Sequence, residues 1–410
     1  VNDARDPAHP PRAVRVVLPG GVDDPARPSG GNTYDRRVCR DLPGAGWQVA
    51  EYAVAGGWPA PDAGARAELA RVLGAFPDGA VVLLDGIVAC AVPEVIVAEA
   101  DRLRLAVLVH LPLGDETGLA PERAAELNAG ERRVLRAVSA VVATSRWAAR
   151  RLVRHHELAP ERVHVAVPGA DPASPATGSG ASAGASGGEP APRLLCVASV
   201  TRRKGQHLLV EALADVAGLP WSCVCVGGLG HDPGYVADVR ESIAHHGLAD
   251  RIILAGARGG EALDASYRDA DLLVLPSYAE TYGMAVTEAL ARAIPVLATA
   301  VGGVPEAVGH APGGGLPGIL VAPGDRDALS GALRDWLREP GVRARTREAA
   351  LGRRTALARW DTTSRSLAEA LERLRHEPRD GVDGRAGRDS GHGRDAVREP
   401  RDVREPRETV

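Results

Sequence analysis

Along the chain, short and nearly unbroken apolar runs alternate with longer stretches in which apolar positions recur at helical spacing. In the first half the runs fall at Ala13–Pro19, Trp47–Val54, Ala80–Leu84, Leu105–Leu111, Ala140–Thr144 and Arg162–Val167. Helical patterns separate them: one from about Thr33, after a glycine-rich loop, then Ala63–Leu73, Pro93–Arg102, Pro121–Val138 and Arg146–Leu158. Runs of Val, Leu and Ala without strict alternation suit strands covered on both faces. Alternating strand and helix implies a parallel sheet with helices on either side.

At Asp171–Pro192 the composition changes abruptly to Gly, Ser, Ala and Pro, which predicts a flexible linker unable to bury apolar surface. A second series follows, with strands at Arg193–Val200, Trp221–Val226, Arg251–Ala255, Asp271–Leu275, Pro295–Ala298 and Gly318–Val321. Its helices are expected at Gly205–Val216, Pro233–Ala244, Glu261–Arg268, Gly283–Arg292 and Arg326–Leu337, and a final helical stretch covers Thr346–Leu374. The reading is α/β: two Rossmann-like parallel-sheet domains facing a cleft. Residues 1–171 form the N-terminal domain, 172–192 the linker, 193–375 the C-terminal domain with its terminal helix, and 376–410 a disordered charged tail.

Composition narrows the classes. A chain of 410 residues with 45% hydrophobic and 25% charged residues is that of an ordinary globular protein too long for one core. A net charge of −4 gives no global pull towards nucleic acid. Val1–Pro11 is polar and Pro-rich, and no apolar run reaches the roughly 18 residues that span a bilayer, so a cytoplasmic location is expected. The five cysteines, Cys39, Cys90, Cys196, Cys223 and Cys225, show no zinc spacing and read as buried and reduced. Lys204 is the single lysine in an arginine-rich chain, which matters because a compact ammonium and a planar guanidinium are not interchangeable against a phosphate.

The segment Pro276–Glu288, PSYAETYGMAVTE, is the most specific feature. It runs from a strand end through a loop into a helix, putting Glu280 at the loop's end and Glu288 in the helix's second turn, on the order of 8–12 Å apart. That spacing suits gripping two ends of an extended ligand. The free amides of Tyr282, Gly283, Met284 and Ala285 between them favour a phosphate. Spacing alone equally allows two unrelated surface glutamates.

This Glu, seven residues, Glu pattern resembles the signature of the GT-B-fold retaining glycosyltransferases of family 4, the group that includes glycogen synthase and sucrose synthase. The likeness continues through Ala289–Val308, takes in Leu320–Asp325 (LVAPGD), and upstream includes Val197–Gly205 (VASVTRRKG). It implies a transferase, a hexosyltransferase, moving sugar from a nucleotide-diphosphate sugar to an unidentified acceptor: a glycan, a glycolipid or a small molecule. Glu288 would hold the donor ribose and Glu280 the donor sugar. Lys204 with Arg203 would neutralise the pyrophosphate; many members place an arginine near the position of Ser199, so Arg202 or Arg203 must stand in. Gly30–Gly31–Asn32 resembles the family's first glycine loop, and His110, ahead of Leu111–Pro112, its active-site histidine. A side chain leaving the carboxyl end of a parallel strand also sits where such sheets bind ligands.

The resemblance implies closure of two lobes over donor and acceptor, retention of configuration, and no cofactor beyond the co-substrate; how retention is achieved stays open, and a front-face displacement fits the lack of an obvious nucleophile in the sequence. No required metal is expected. Asp269–Ala270–Asp271 looks like a DxD metal motif, but at a helix-to-strand boundary it reads as ordinary acidic punctuation. Arg146–His156, RWAARRLVRHH, is basic enough for weak peripheral contact with an inner membrane face, although a plain surface helix accounts for it. Two rival functions stay open: a nucleotide-sugar epimerase or hydrolase, and a non-catalytic nucleotide-sugar-binding protein. The absence of GxGxxG after the first strand counts against a dinucleotide dehydrogenase.

Overall fold

The computed structural model describes residues 12–25, 28–182 and 190–376. The N-terminal segment before Arg12, the middle of the expected linker and the charged tail lie outside the described residues.

The first lobe runs β1 (Ala13–Pro19), α1 (Gly30–Asp41), β2 (Gln48–Val54), α2 (Ala63–Gly74), β3 (Val81–Asp85), α3 (Gly86–Ala89), α4 (Pro93–Glu99), β4 (Arg104–Val109), α5 (Pro121–Ala137), β5 (Ala140–Ala143), α6 (Arg146–His156) and β6 (Val163–Val165). Its strands form one parallel sheet in the order β2-β1-β3-β4-β5-β6. The second lobe contains β7 (Arg193–Val197), α7 (Gln206–Ala214), β8 (Ser222–Val226), α8 (Pro233–His245), β9 (Ile252–Gly256), α9 (Gly260–Arg268), β10 (Leu272–Leu275), α10 (Met284–Ala291), β11 (Val296–Thr299), α11 (Val304–Val308), β12 (Gly318–Val321), α12 (Arg326–Arg338) and α13 (Pro340–Arg353). Its parallel sheet is ordered β12-β11-β10-β7-β8-β9. A last helix, α14, spans Trp360–His376.

The central strands are apolar because both faces are covered: every residue of β3, β5, β10 and β11 is buried. In a parallel sheet all carboxyl ends open on one side, so the residues that follow β1 and β4 gather at one edge of the first sheet and those that follow β7 and β10 at one edge of the second. Helix starts are set locally. Ser29 accepts from the Asn32 amide at 3.0 Å and begins α1 three residues earlier than the apolar pattern suggests, which puts Gly30 and Gly31 in the first turn. The five cysteines are buried and free.

Two expectations need correction. The Gly/Ser/Ala/Pro stretch is not a loose tether over its described part. Ala176 N donates to Arg292 O at 2.8 Å, Thr177 N to Arg268 O at 3.0 Å, and Ser179 N to the Asp271 carboxylate at 3.1 Å. Small side chains let this backbone lie directly on the second lobe, and Ala176 is buried there. Composition signals freedom in the unfolded chain but says nothing about backbone partners in the folded one.

The second correction concerns the expected helix at Thr346–Leu374, which is two helices, and α14 belongs with the other lobe. Leu367, Ala370, Leu371 and Leu374 bury against Val14, Val16, Tyr34, Leu42 and Trp47 of the first lobe. The chain crosses back between Arg354 and Arg359. There Ala170 N donates to Ala358 O at 2.8 Å, and Thr363 Oγ1 to Val167 O at 2.7 Å. Gly169 permits this crossing, since a Cβ on it would lie 2.2 Å from Trp360 N. The C-terminal helix therefore completes the N-terminal core, an assignment its amphipathic pattern alone cannot make.

Leu371→Ala is expected to cost about 2–5 kcal/mol, the usual range for emptying a fully buried leucine site. Urea unfolding followed through first-lobe tryptophans should show it. An unchanged midpoint would mean α14 does not seal that core.

Candidate active site

The loop after β10 is held from three directions. Gly205 takes a left-handed conformation (φ +70°) and a Cβ there would lie 2.3 Å from Pro276 O, so the turn after β7 presses directly on the loop. Tyr278 N donates to Arg203 O at 2.8 Å, tying the two segments in register. From behind, Gly302 (φ +55°) and Gly303 back the loop. A Cβ at either would strike the carbonyl of Glu280 or Thr281, at 1.6 and 2.1 Å. Thr299 Oγ1 donates to Ser277 O, and Ser277 Oγ to Glu280 Oε1 at 2.9 Å.

This packing brings Lys204 and Glu280 together. The ammonium donates to Glu280 Oε1, with both side chains largely removed from water. Burial opposes charge on each. For Lys204 it outweighs the nearby carboxylate, and the pKa lies below the usual lysine value. For Glu280 the charges of Lys204 and Arg203, with the hydrogen bonds, overcome burial and hold the carboxyl below its usual range.

The two candidate arginines part company. Arg202 swings outward to Asp238 at 2.9 Å and lies over the Tyr235 ring. Arg203 stays with the site, donating to Ala279 O at 3.1 Å and, across the lobes, to Glu116 Oε1 at 3.0 Å.

Beyond the loop, Gly283 (φ +93°) turns the chain into α10, whose first amides point outward with the positive end of the helix dipole. Tyr282 is not free to contact a ligand with its ring, which is buried among Val301, Val304 and Val286; only its backbone remains available. Ala285 also packs partly against this second-lobe core. Met284 is shared, lying against the cores of both lobes. Glu288, one turn on, accepts from Tyr267 Oη at 2.6 Å, while Arg292 lies over the Tyr267 ring. Burial, partly offset by the Tyr267 hydrogen bond, raises the Glu288 pKa. Glu280 and Lys204 thus share a contact, whereas Glu288 stands apart with its own support.

The first lobe closes the other side. Gly30 and Gly31 lie in the first turn of α1, where added Cβ atoms would fall 3.3 Å from Met284 Sδ and 3.2 Å from His110 Cδ2. His110 follows β4, its carbonyl accepting from Thr281 Oγ1 at 2.6 Å. Ser145 Oγ in turn donates to Thr281 O at 2.6 Å, and Arg146 N to the Glu306 carboxylate at 3.0 Å. Glycine tip, histidine, acidic loop and lysine therefore meet at one interlobe surface.

Three supporting residues escaped sequence reasoning. Asp35 pairs with His110 Nε2 at 2.8 Å, Asp85 lies beside both, and Glu116 holds Arg203. Asp85 carried a usable signal: it is a charge ending an apolar run at a strand's carboxyl end, the same logic that selected His110. Asp35, one turn after Gly31 on the face shared with Val38 and Cys39, was a polar interruption of a buried stripe. Asp271 is spent on backbone, accepting from Arg193 N at 2.8 Å and from Ser179 N, which explains an aspartate here without a metal. On α6, Leu152 and His156 are buried and Trp147 packs against the first-lobe core.

Two α/β lobes with parallel sheets, their strands' carboxyl ends turned to a common interface and the last helix crossing back, define the GT-B fold. Solved structures agree. The structure is similar to the sucrose-phosphate synthase of Thermosynechococcus elongatus (TM-score 0.71, 22% identity, 88% of this chain and 99% of that one). It is also similar to Anabaena HepE solved with UDP and glucose (TM-score 0.69, 18% identity, with the same coverage of each chain). Residues 186–353 match the family model of the glycosyl transferases group 1. Among curated relatives, the D-inositol 3-phosphate glycosyltransferase of Streptomyces scabiei is 33% identical over 270 residues, 63% of this chain and 59% of that protein. The Rhodococcus jostii enzyme of the same name is 31% identical over 300 residues, 69% and 64% of the two chains. The chain spans about six-tenths of the length of the curated relatives it matches.

Removing one member of the Lys204–Glu280 pair strands the other. Lys204→Ala is expected to destabilise the protein by about 3 kcal/mol, as for an uncompensated buried charge. The depressed Glu280 pKa adds stability that is present above its unfolded value of 4.5 and lost as pH falls through the folded one. Glu280→Gln should therefore flatten the acid limb of a stability–pH curve. A limb of unchanged slope would show that Glu280 is not ionised in the fold.

Proposed function

We propose that this chain is a retaining family 4 glycosyltransferase, transferring a hexose from a nucleoside-diphosphate sugar to an acceptor bound against the first lobe. The observation that carries the reading is the Lys204–Glu280 pair, joined from the segments that follow β7 and β10, with the start of α10 four residues beyond Glu280. An ammonium with orphan helix amides is suited to a diphosphate whose charge grows as it leaves. Arg203, the arginine that stays at the site, supplies the second positive charge, and moving it onto phosphate would release Glu116. Glu280 accepts from sugar hydroxyls and Glu288 from a ribose, a carboxylate being able to take two such bonds. His110 and the first turn of α1, with Gly30 and Gly31, face the transferred sugar. The family segment and the names of the relatives support transfer over epimerisation or simple binding.

Catalysis rests on positioning and on stabilising the departing diphosphate, with water excluded between the lobes. Retention proceeds at one face, the leaving phosphate helping to deprotonate the acceptor. No metal is needed in this scheme, since Lys204, Arg203 and the helix tip already provide positive charge where a cation would act.

The test screens UDP-, GDP- and ADP-sugars by thermal shift. A donor at about 100 times its dissociation constant adds roughly 2.7 kcal/mol. Lys204→Ala should lose most of that shift, compared with its own ligand-free baseline. Product analysis with an acceptor panel that includes an inositol phosphate, the substrate in the relatives' names, then separates transfer from hydrolysis, and activity should survive EDTA. If none of the donors raises the melting temperature, the reading fails; if EDTA abolishes turnover, the metal-free scheme fails.

A further inference from the structure

Beneath His110 lies a group of charges that donor binding does not explain. Asp35 from α1, Asp85 from the end of β3 and the His110 ring have their polar atoms within 4.8 Å of one another, and both aspartates are buried. Asp35 Oδ1 takes the His110 Nε2 bond at 2.8 Å. Its other oxygen, Oδ2, is buried and meets no donor if every carboxyl is ionised. Asp85 accepts from the Ile87 amide at 2.8 Å with Oδ1, and its carboxylate belongs to the same close group as that of Asp35. Two buried carboxylates at this range cannot both stay ionised at low cost, and one proton between them also supplies the donor that Oδ2 lacks.

We propose that Asp35 and Asp85 share one proton beneath His110 and hold its ring as an imidazolium, so that Nδ1–H offers a positively charged donor to the ligand in the cleft. Asp35 remains the anion, Asp85 carries the shared proton, and the cluster of three is neutral overall. The electrostatics run the same way. Burial pushes Asp85 up to about 8, with the Asp35 charge adding to it. Burial opposes charge on His110, but Asp35 overcomes that and lifts it to about 9.

The groups packed on the ring from other elements leave this balance alone. From α1, Tyr34 presents its ring edge-on at 5.3 Å and is held neutral by burial, and Gly31 adds no charge. On the second-lobe side, Thr281 and Met284 are uncharged. Tetrahedral zinc fits poorly. A tetrahedral ion such as zinc, at about 2.0 Å from each of the two atoms, would hold them roughly 3.3 Å apart, whereas they lie at a hydrogen-bond distance of 2.8 Å. In this arrangement His110 cannot act as a general base at neutral pH. It is a fixed cationic donor, and Asp35 and Asp85 are positioning residues.

The proposal rests on the glycosyltransferase reading only for the identity of the ligand; the charge state can be read without one. Long-range ¹H–¹⁵N spectra of the full-length protein, with His110→Gln to assign the ring, should show both His110 nitrogens protonated at neutral pH and a midpoint above about 8. Asp35→Asn should drop that midpoint below about 7, because the charge that pays for the imidazolium is gone. Asp85→Asn, whose amide can donate permanently to Asp35, should keep the midpoint high; a drop matching that of Asp35→Asn would overturn the shared proton. A neutral His110 in the parent protein, or an unchanged midpoint in Asp35→Asn, would overturn the proposal. So would broadening of the His110 signals at micromolar Mn²⁺ or Zn²⁺, which would make the cluster a metal site. If donors fail to bind while the titrations hold, the function proposed above falls and the charge assignment stands.

Discussion

The ion pair between Lys204 and Glu280 is the interaction on which the rest of the site depends. Each group comes from the end of a different strand of the second sheet, and each would be costly to bury alone. Their pairing is possible because Gly205 allows the turn after β7 to press on Pro276, while Gly302 and Gly303 let a second turn close in from behind. Substitution at these glycines would push backbone against backbone, so the charges and the tight loop are one structure.

The two lobes are joined by more than the chain between them. Thr281, next to Glu280, bonds to the backbone after β4 and receives the hydroxyl of Ser145. Met284 lies against both cores. On the far side α14 leaves the second lobe and finishes the core of the first, packing on β1 and α1. The chain passes between the lobes at two crossings, near 166–171 and 354–360, where backbones touch through Gly169. The interface between the lobes and the two chain crossings are separate features.

Polar residues on the cleft side of the first lobe are supported from beneath in a different way from those of the second. The second lobe pairs opposite charges directly. The first buries two carboxylates under an imidazole, an arrangement that balances only when a proton is counted among its members. Both solutions keep a positive group facing the cleft, one on each lobe.

Taken alone, the sequence determined the alternation of strands and helices, the two parallel sheets and the loop bearing Glu280. Those depend on local periodicity and on residue types at strand ends. The single lysine stood out for the same reason: a residue type is a property of the sequence. Tertiary structure decided which lobe owns α14, because an amphipathic face does not name its partner. It decided that Arg203 rather than Arg202 stays at the site, since neighbouring side chains with one chemistry are separated only by the direction of the turn. It also turned the Tyr282 ring into the core, and seated the Gly/Ser/Ala/Pro stretch on the second lobe through backbone bonds that composition cannot show. Asp35 and Asp85 lie 50 residues apart along the chain, and only the adjacency of α1, β3 and β4 makes them one group with His110.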